Sequence, residues 1–116
     1  MKRRRYVVAS VVALAGFGAL FAVLPSQGAG TKVTIAGFRY RPASIKIEAG
    51  GAITVHNDTK LVHTATCFGC PVDSKDIQPG TIRTITFPKA GTYQLYCRYH
   101  GQSRGMIARL VVTPSG

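Results

Sequence analysis

The feature that most constrains the fold of this chain is a series of short β-type segments after residue 30, each followed by a turn signal. Alternating, β-branched or aromatic residues fill the segments 33–38, 45–48, 53–56, 82–87, 93–97 and 107–112. Glycine, proline, asparagine or aspartate lies between them, and no 3.6-residue apolar period persists in this region. Short strands at regular spacing with such turns predict an all-β domain, a β-sandwich.

The N-terminal segment, residues 1–30, has a different composition and predicts export. The chain begins MKRRR, continues with an uncharged, mostly apolar run over residues 6–24, and then reaches small and turn-forming residues. This order is typical of a signal peptide, but the apolar run is also long enough for a helix that spans a bilayer. Residues 1–30 are therefore interpreted as a signal peptide or an N-terminal apolar membrane-anchor helix, and both alternatives stay open. Residues 31–116 form one domain, expected in the periplasm or elsewhere outside the cytoplasm.

The charge of residues 31–116 limits the kinds of partner. This part holds 11 Lys or Arg and 4 Asp or Glu residues, a net charge of +7. The basic residues occur singly and form no stripe with aromatic residues, which argues against nucleic acid. Outside the cell, an acidic protein partner or an anionic membrane surface is expected instead. Four acids and 3 His leave too few groups for a hydrolytic triad or for an oxidase with several His-rich metal sites, so no enzyme activity is expected.

The cysteine count raises a specific question. Cys67 and Cys70 lie close together in the chain, and Cys97 is left over. Outside the cell the close pair is expected to form a short disulfide, with a Cu(I)-binding or redox-active pair as the alternative. An odd cysteine in an exported chain needs an explanation, and metal ligation supplies one.

The residues around this cysteine predict a copper site. Cys97, His100 and Met106 place a thiolate, an imidazole and a thioether in one loop between two predicted strands, and His63 follows a turn much earlier in the chain. Soft sulfur together with imidazole suits copper that cycles between Cu(I) and Cu(II). Two His and one Cys with a weak axial Met describe a mononuclear electron-transfer site. A sandwich can bring the segment of His63 beside the later loop.

Over residues 32–112 the sequence resembles the cupredoxins, the plastocyanin and amicyanin group in particular. The similar stretches are VTI, F and PASI within 33–45, ITVHN at 53–57, VHT at 62–64, QPG at 78–80 and FPKAGTY at 87–93. The resemblance implies a Greek-key β-sandwich, one type 1 copper per chain and the transfer of single electrons between larger redox proteins. His63, Cys97, His100 and Met106 fall on the family's ligand positions. Asn57 matches the residue that ties the two ligand loops together by hydrogen bonds.

The chain departs from the family pattern in the ligand loop. The interval from His100 to Met106 is one residue longer than in the common plastocyanin-type loop, and Gln102 lies within it as a substitute oxygen donor. Met106 is preferred as the axial ligand because a long, weak axial bond tolerates a change in loop length.

Two other functions remain open from the sequence. A copper storage or delivery module would use the same fold and ligands. A structural zinc domain would use the Cys3His set Cys67, Cys70, Cys97 and His100, whose spacing is typical of zinc sites. The zinc alternative leaves His63 and Met106 without a role and requires three exported thiols to stay reduced.

Overall fold

Two four-stranded sheets form the framework of residues 30–115, the part of the chain that the computed structural model describes. The elements are β1 (Thr31–Ala36), β2 (Arg39–Arg41), β3 (Ser44–Glu48), β4 (Ala52–Asn57), β5 (Thr66–Cys67), β6 (Ile82–Thr86), β7 (Gly91–Tyr96), the short helix α1 (Gly101–Arg104) and β8 (Ile107–Thr113). The all-β prediction is confirmed, and each predicted strand is present.

The strands divide between the sheets in a non-sequential order. One sheet runs β2-β1-β4-β6 and the other runs β3-β8-β7-β5. The pairs β1–β4 and β3–β8 are parallel, and the remaining pairs are antiparallel. The chain therefore crosses between the two sheets, and β3 pairs with the last strand of the described region.

The core lies between the sheets and follows the period of two in the strands. In β4, Ile53 and Val55 are fully buried, while His56 points to the opposite face and is only half-buried. Each large apolar side chain buried in this way contributes about 1.5–3 kcal/mol. The other buried aliphatic side chains of the paired strands are Val33, Ile35, Ile45, Ile47, Ile85, Leu95, Ala108, Leu110 and Val112.

Three short elements are not evident from the sequence pattern. Strands β2 and β5 have three and two residues, and α1 is a single turn of four residues. Such elements are too short to show a period. The two short strands form because neighbouring strands supply their hydrogen-bond partners, whereas the turn of α1 is bonded within its own loop.

The predicted signal peptide or anchor helix, residues 1–30, lies almost entirely outside the described residues. Within residues 30–115, no helix has the length and apolar character needed to cross a bilayer.

Candidate metal centre

The loop between β7 and β8 carries three of the predicted ligands, and we call residues 97–106 the ligand loop. The backbone NH groups of His100 and Gly101 donate to the carbonyl of Cys97, at 3.3 and 2.8 Å, and this begins the single turn of α1. Gly105 ends the turn with a φ of 63°, a left-handed conformation that glycine adopts at low cost. The NH of Cys97 then donates to the carbonyl of Met106 at 3.2 Å, so the two sulfur residues close the loop.

His63 reaches the ligand loop from a different part of the chain. Its NH donates to the carbonyl of Ile77 at 3.2 Å, and the NH of Ile77 donates back to the carbonyl of His63 at 2.7 Å. This isolated bridge holds the segment of His63 in place, although the segment is not part of any of the named strands. His63 is fully buried beside Cys97, as the sandwich prediction requires.

Three ligand atoms meet at one point. The Sγ of Cys97 lies 3.7 Å from Nδ1 of His63 and 3.5 Å from Nδ1 of His100. All three ligand atoms lie within 4.8 Å of one another. For one ion with metal–nitrogen bonds of about 2.0 Å and a metal–sulfur bond of about 2.3 Å, nitrogen–sulfur separations of about 3.5–3.7 Å are expected at tetrahedral to trigonal angles. The donors therefore fit a single metal ion, and the absence of a carboxylate from the group favours a soft or intermediate metal over Mg²⁺ or Ca²⁺.

The protonation state of His63 suits metal binding. Burial lowers the pKa of its imidazole, and the positive charge of a protonated His100 lowers it further. His63 therefore stays neutral near pH 7, which is the form that binds a metal. Its Nε2 is buried and has no hydrogen-bond partner among the described residues, whereas Nδ1 faces Cys97 and is the nitrogen available as a ligand.

The two candidates for the fourth ligand have opposite environments. Met106 is fully buried, and its NH donates to the carbonyl of His100 at 3.4 Å. Gln102 is exposed on α1 and lines a surface cleft together with Phe68 and Tyr99. The difference in burial favours Met106 over Gln102 as a ligand.

Asn57 has a role that differs from the expected one. Its Nδ2 donates to the carbonyls of Leu61 and Ile77, both at 2.8 Å, and its Oδ1 accepts from the NH and hydroxyl of Thr59. These bonds order the turn before His63 and the segment paired with it. The side-chain contacts of Asn57 within the described region thus lie on the His63 side of the centre and do not extend to the ligand loop.

The direct link between the two ligand segments is Thr64, which the sequence analysis missed. Its Oγ1 accepts from the NH of Arg98 at 2.9 Å, and its carbonyl accepts from the buried Tyr40 hydroxyl at 2.6 Å. Each of these bonds joins parts of the chain that are far apart in sequence. Burial, and secondly the charge of Cys97, raise the pKa of Tyr40 well above its usual value, so the phenol remains a donor. Only the position of Thr64 next to His63 could have suggested this role.

An aromatic ring covers the histidines. The ring centroid of Phe38 lies 4.9 Å from that of His100 and 6.1 Å from that of His63. On the ring of Phe38 lies the guanidinium of Arg104, 4.2 Å from the centroid. His100 itself is only half-buried, so the site is closed on the Phe38 side and reaches solvent at His100.

The remaining cysteines form the expected disulfide and lie apart from the metal ligands. Cys67 and Cys70 are bonded to each other, with their Cα atoms 5.4 Å apart, and Cys97 is the free thiol of the described region. The short loop that they close exposes Phe68. Cys67 and Cys70, two members of the Cys3His zinc set, are therefore not available as thiolate ligands. The ligand atoms that lie together belong to His63, Cys97 and His100.

Comparisons with known proteins identify the fold family. The family model described as the cupredoxin-like domain matches residues 7–108. Amicyanin-alpha of Methylorubrum extorquens is 29% identical over 103 residues, which cover 84% of this chain and 87% of that protein. Among solved structures, amicyanin from Paracoccus versutus has a TM-score of 0.61 and 21% identity, covering 72% of this chain and 80% of that one. A Cu(I) amicyanin variant with glutamine in place of a methionine has a TM-score of 0.63 and 22% identity, covering 79% and 90%. Since the family model spans most of the sequence, the chain belongs to the cupredoxin-like family.

Proposed function

We propose that this protein is an exported copper protein that carries single electrons between redox partners and is not an enzyme. The observation that carries the proposal is the group formed by Cys97, His63 and His100, whose ligand atoms lie within 4.8 Å of one another. A free thiol beside two imidazoles matches the His2Cys sets that hold electron-transfer copper. The related amicyanin of Methylorubrum extorquens supports the same assignment.

His63, Cys97, His100 and Met106 would hold one copper, which would supply reversible exchange between Cu(I) and Cu(II). The chain supplies a rigid set of donors. His63 and Cys97 are fully buried, and backbone hydrogen bonds to Ile77 and to Met106 hold their two segments in place. A rigid site lowers the structural change that accompanies each electron. His100 is the half-exposed member, and its ring connects the buried donors to the protein surface, where a partner can bind.

Export of residues 31–116, with residues 1–30 as a signal peptide or an anchor through residues 6–24, is the second part of the proposal. It rests on the order of basic, apolar and small residues, and on the Cys67–Cys70 disulfide, which is typical of oxidising compartments. Mass spectrometry of the protein recovered from periplasm and from membranes distinguishes the alternatives. A full-length chain in the cytoplasmic fraction alone would contradict export.

The spectrum of the copper-loaded protein tests the copper assignment. We expect a strong visible band from Cys97 thiolate to Cu(II), which is lost in Cys97→Ser. Met106→Ala should shift this band and the EPR parameters, whereas Gln102→Ala, at an exposed position of the same loop, should leave both unchanged. The opposite pattern would make Gln102 the axial ligand. Absence of the band together with tight zinc binding would refute the copper function.

A copper delivery module remains the second candidate, because it would use the same ligands. Repeated reduction and oxidation in the presence of a copper chelator separates the two functions. An electron carrier keeps its copper through many cycles, while a delivery protein loses copper to the chelator in the Cu(I) state.

A further inference from the structure

Three arginines surround one cleft beside the metal centre. Arg39 and Arg41 belong to β2, Arg104 belongs to α1, and all three are exposed. They line a cleft of about 640 Å³, together with Phe38 and Tyr40 and with small or apolar residues of the neighbouring segments. We call this feature the arginine cleft. Its strands come from both sheets, so it exists only in the folded domain.

The positive charge of the arginine cleft is not neutralised within the described residues. The four acids of the whole chain are Glu48, Asp58, Asp73 and Asp76, and none of them lines the cleft. The ion pair of the described region joins Asp73 to Arg98, which lies outside the cleft. Three guanidinium groups around one concavity, with no carboxylate in its lining, favour an anionic occupant, because guanidinium binds carboxylates in a paired geometry.

The arginine cleft is in direct contact with the proposed electron-transfer path. Phe38 lies in its wall, with the guanidinium of Arg104 on its ring and His100 against it at 4.9 Å between centroids. Tyr40 also contributes to the lining, and its buried hydroxyl donates to the carbonyl of Thr64, the residue after His63. A group bound in the cleft is therefore separated from a metal ligand by one aromatic ring.

We propose that the arginine cleft is the docking site for an acidic, carboxylate-bearing segment of the redox partner protein, and that this segment places the partner beside His100. The proposal rests on the proposed function, since it assigns a surface to the carrier. The choice of a protein segment rests on shape, since a protruding segment can place several carboxylates among the three arginines of a concavity, whereas a membrane presents a broad surface. Docking here needs no contribution from Arg98, whose charge is already paired with Asp73.

The test uses an acetylated peptide of eight aspartates as the probe. We expect it to bind the metal-free and the Cu(I)-loaded protein, with the largest NMR shifts at the backbone amides of Phe38, Arg41 and Gly105. Affinity should fall as salt is added, because the contact is ionic. The triple variant Arg39→Gln, Arg41→Gln, Arg104→Gln should bind the peptide roughly tenfold more weakly at low ionic strength.

The matched control removes the same charge elsewhere. Lys32, Arg83 and Lys89 are exposed and do not line the arginine cleft, and their triple substitution by Gln should change the affinity by less than about twofold. Equal loss of affinity in both triple variants would overturn the proposal, because binding would then follow net charge alone. Peptide-induced shifts confined to another surface would also overturn it.

Two further measurements distinguish the proposed docking site from membrane binding and from the carrier function. Arginine-dependent binding to phosphatidylglycerol vesicles without binding to the peptide would replace the acidic partner by a membrane and refute the proposal. Because peptide binding is measured on the metal-free protein as well, the test of the docking site does not depend on copper. Loss of reversible copper reduction with intact peptide binding would therefore contradict the carrier function alone, and intact redox chemistry without peptide binding would contradict the docking site alone.

Discussion

At the scale of single residues, the geometry of the centre depends on side chains that are not themselves ligands. Thr64 joins the segment of His63 to the ligand loop through the NH of Arg98, and it is fully buried. The removal of a buried acceptor leaves its donor unsatisfied, at a cost of about 1–3 kcal/mol. Residues that orient metal ligands in this way also affect metal affinity, by about 10–100-fold.

We therefore expect Thr64→Val to lower the free energy of unfolding by about 1–3 kcal/mol and to weaken copper binding by about tenfold or more. Denaturant titration and competition with a chelator measure the two effects. Thr92→Val is the control, since Thr92 is an exposed residue of β7 whose side chain forms no hydrogen bond to another residue of 30–115. Wild-type copper affinity in Thr64→Val would show that the bond does not orient the ligands.

A second prediction at this scale concerns pH. Burial alone would raise the pKa of Asp73, but hydrogen bonds from the NH of Lys75, the guanidinium of Arg98 and the hydroxyl of Thr66 outweigh burial and lower it. A carboxyl with a lowered folded-state pKa stabilises the protein above its unfolded pKa, near pH 4, and loses this effect as pH falls through the folded pKa.

Asp73→Asn should consequently lower the free energy of unfolding by about 1 kcal/mol at pH 7, a small value because solvent screens the partly exposed pair. The difference between wild type and variant should shrink as the pH falls below about 4 and disappear once Asp73 is protonated in the folded state. Unfolding curves at a series of pH values measure it. A difference that stays constant from pH 7 to pH 2 would contradict the assignment.

At the scale of elements, the metal centre is built on the β7–β8 hairpin, and β5 supplies a neighbouring edge. The register Tyr96↔Ile107 is the last pair of that hairpin, so the ligand loop begins and ends on a rigid ladder. β5 pairs with β7 through Thr66↔Tyr96 and Cys67↔Leu95, which places the disulfide beside the same hairpin without contributing a ligand.

The disulfide is therefore expected to be dispensable for copper. A crosslink with a sequence separation of 3 closes a very short loop, so its loss in Cys67→Ala, Cys70→Ala should cost about 2 kcal/mol or less. The optical spectrum of the copper-loaded double variant should match that of the wild type. Loss of metal binding in this variant would favour the Cys3His zinc alternative.

At the scale of the whole molecule, copper connects distant parts of the chain. His63 follows β4 of the first sheet, whereas Cys97 directly follows β7 of the second sheet. A metal bound to both restrains the two sheets only in the folded state, and ligand at about 1,000 times its Kd adds about 4 kcal/mol of stability.

Removal of copper should thus lower Tm by about 15 °C or more while the far-ultraviolet circular dichroism remains that of a β protein. Differential scanning calorimetry of the loaded and metal-free protein measures the shift. In Cys97→Ser the two curves should nearly coincide. An equal shift in that variant would mean that copper stabilises the domain through another site.

The sequence alone determines the all-β character and the set of candidate donors, for a local reason. Alternation in segments such as 53–56 is a property of consecutive residues, and Cys97, His100 and Met106 share one loop whatever the rest of the chain does. The unpaired cysteine is likewise visible from composition. The export segment of residues 1–30 also depends on local order, and it stays a prediction.

The tertiary structure decided everything that joins distant residues. It placed His63 against Cys97, buried Met106 while it left Gln102 exposed, and gave Thr64 the link that had been expected of Asn57. It also brought Arg104 into one cleft with Arg39 and Arg41, which lie far from it in the sequence. Such contacts arise from sheet packing and loop closure between residues far apart in the chain, and no local pattern encodes them.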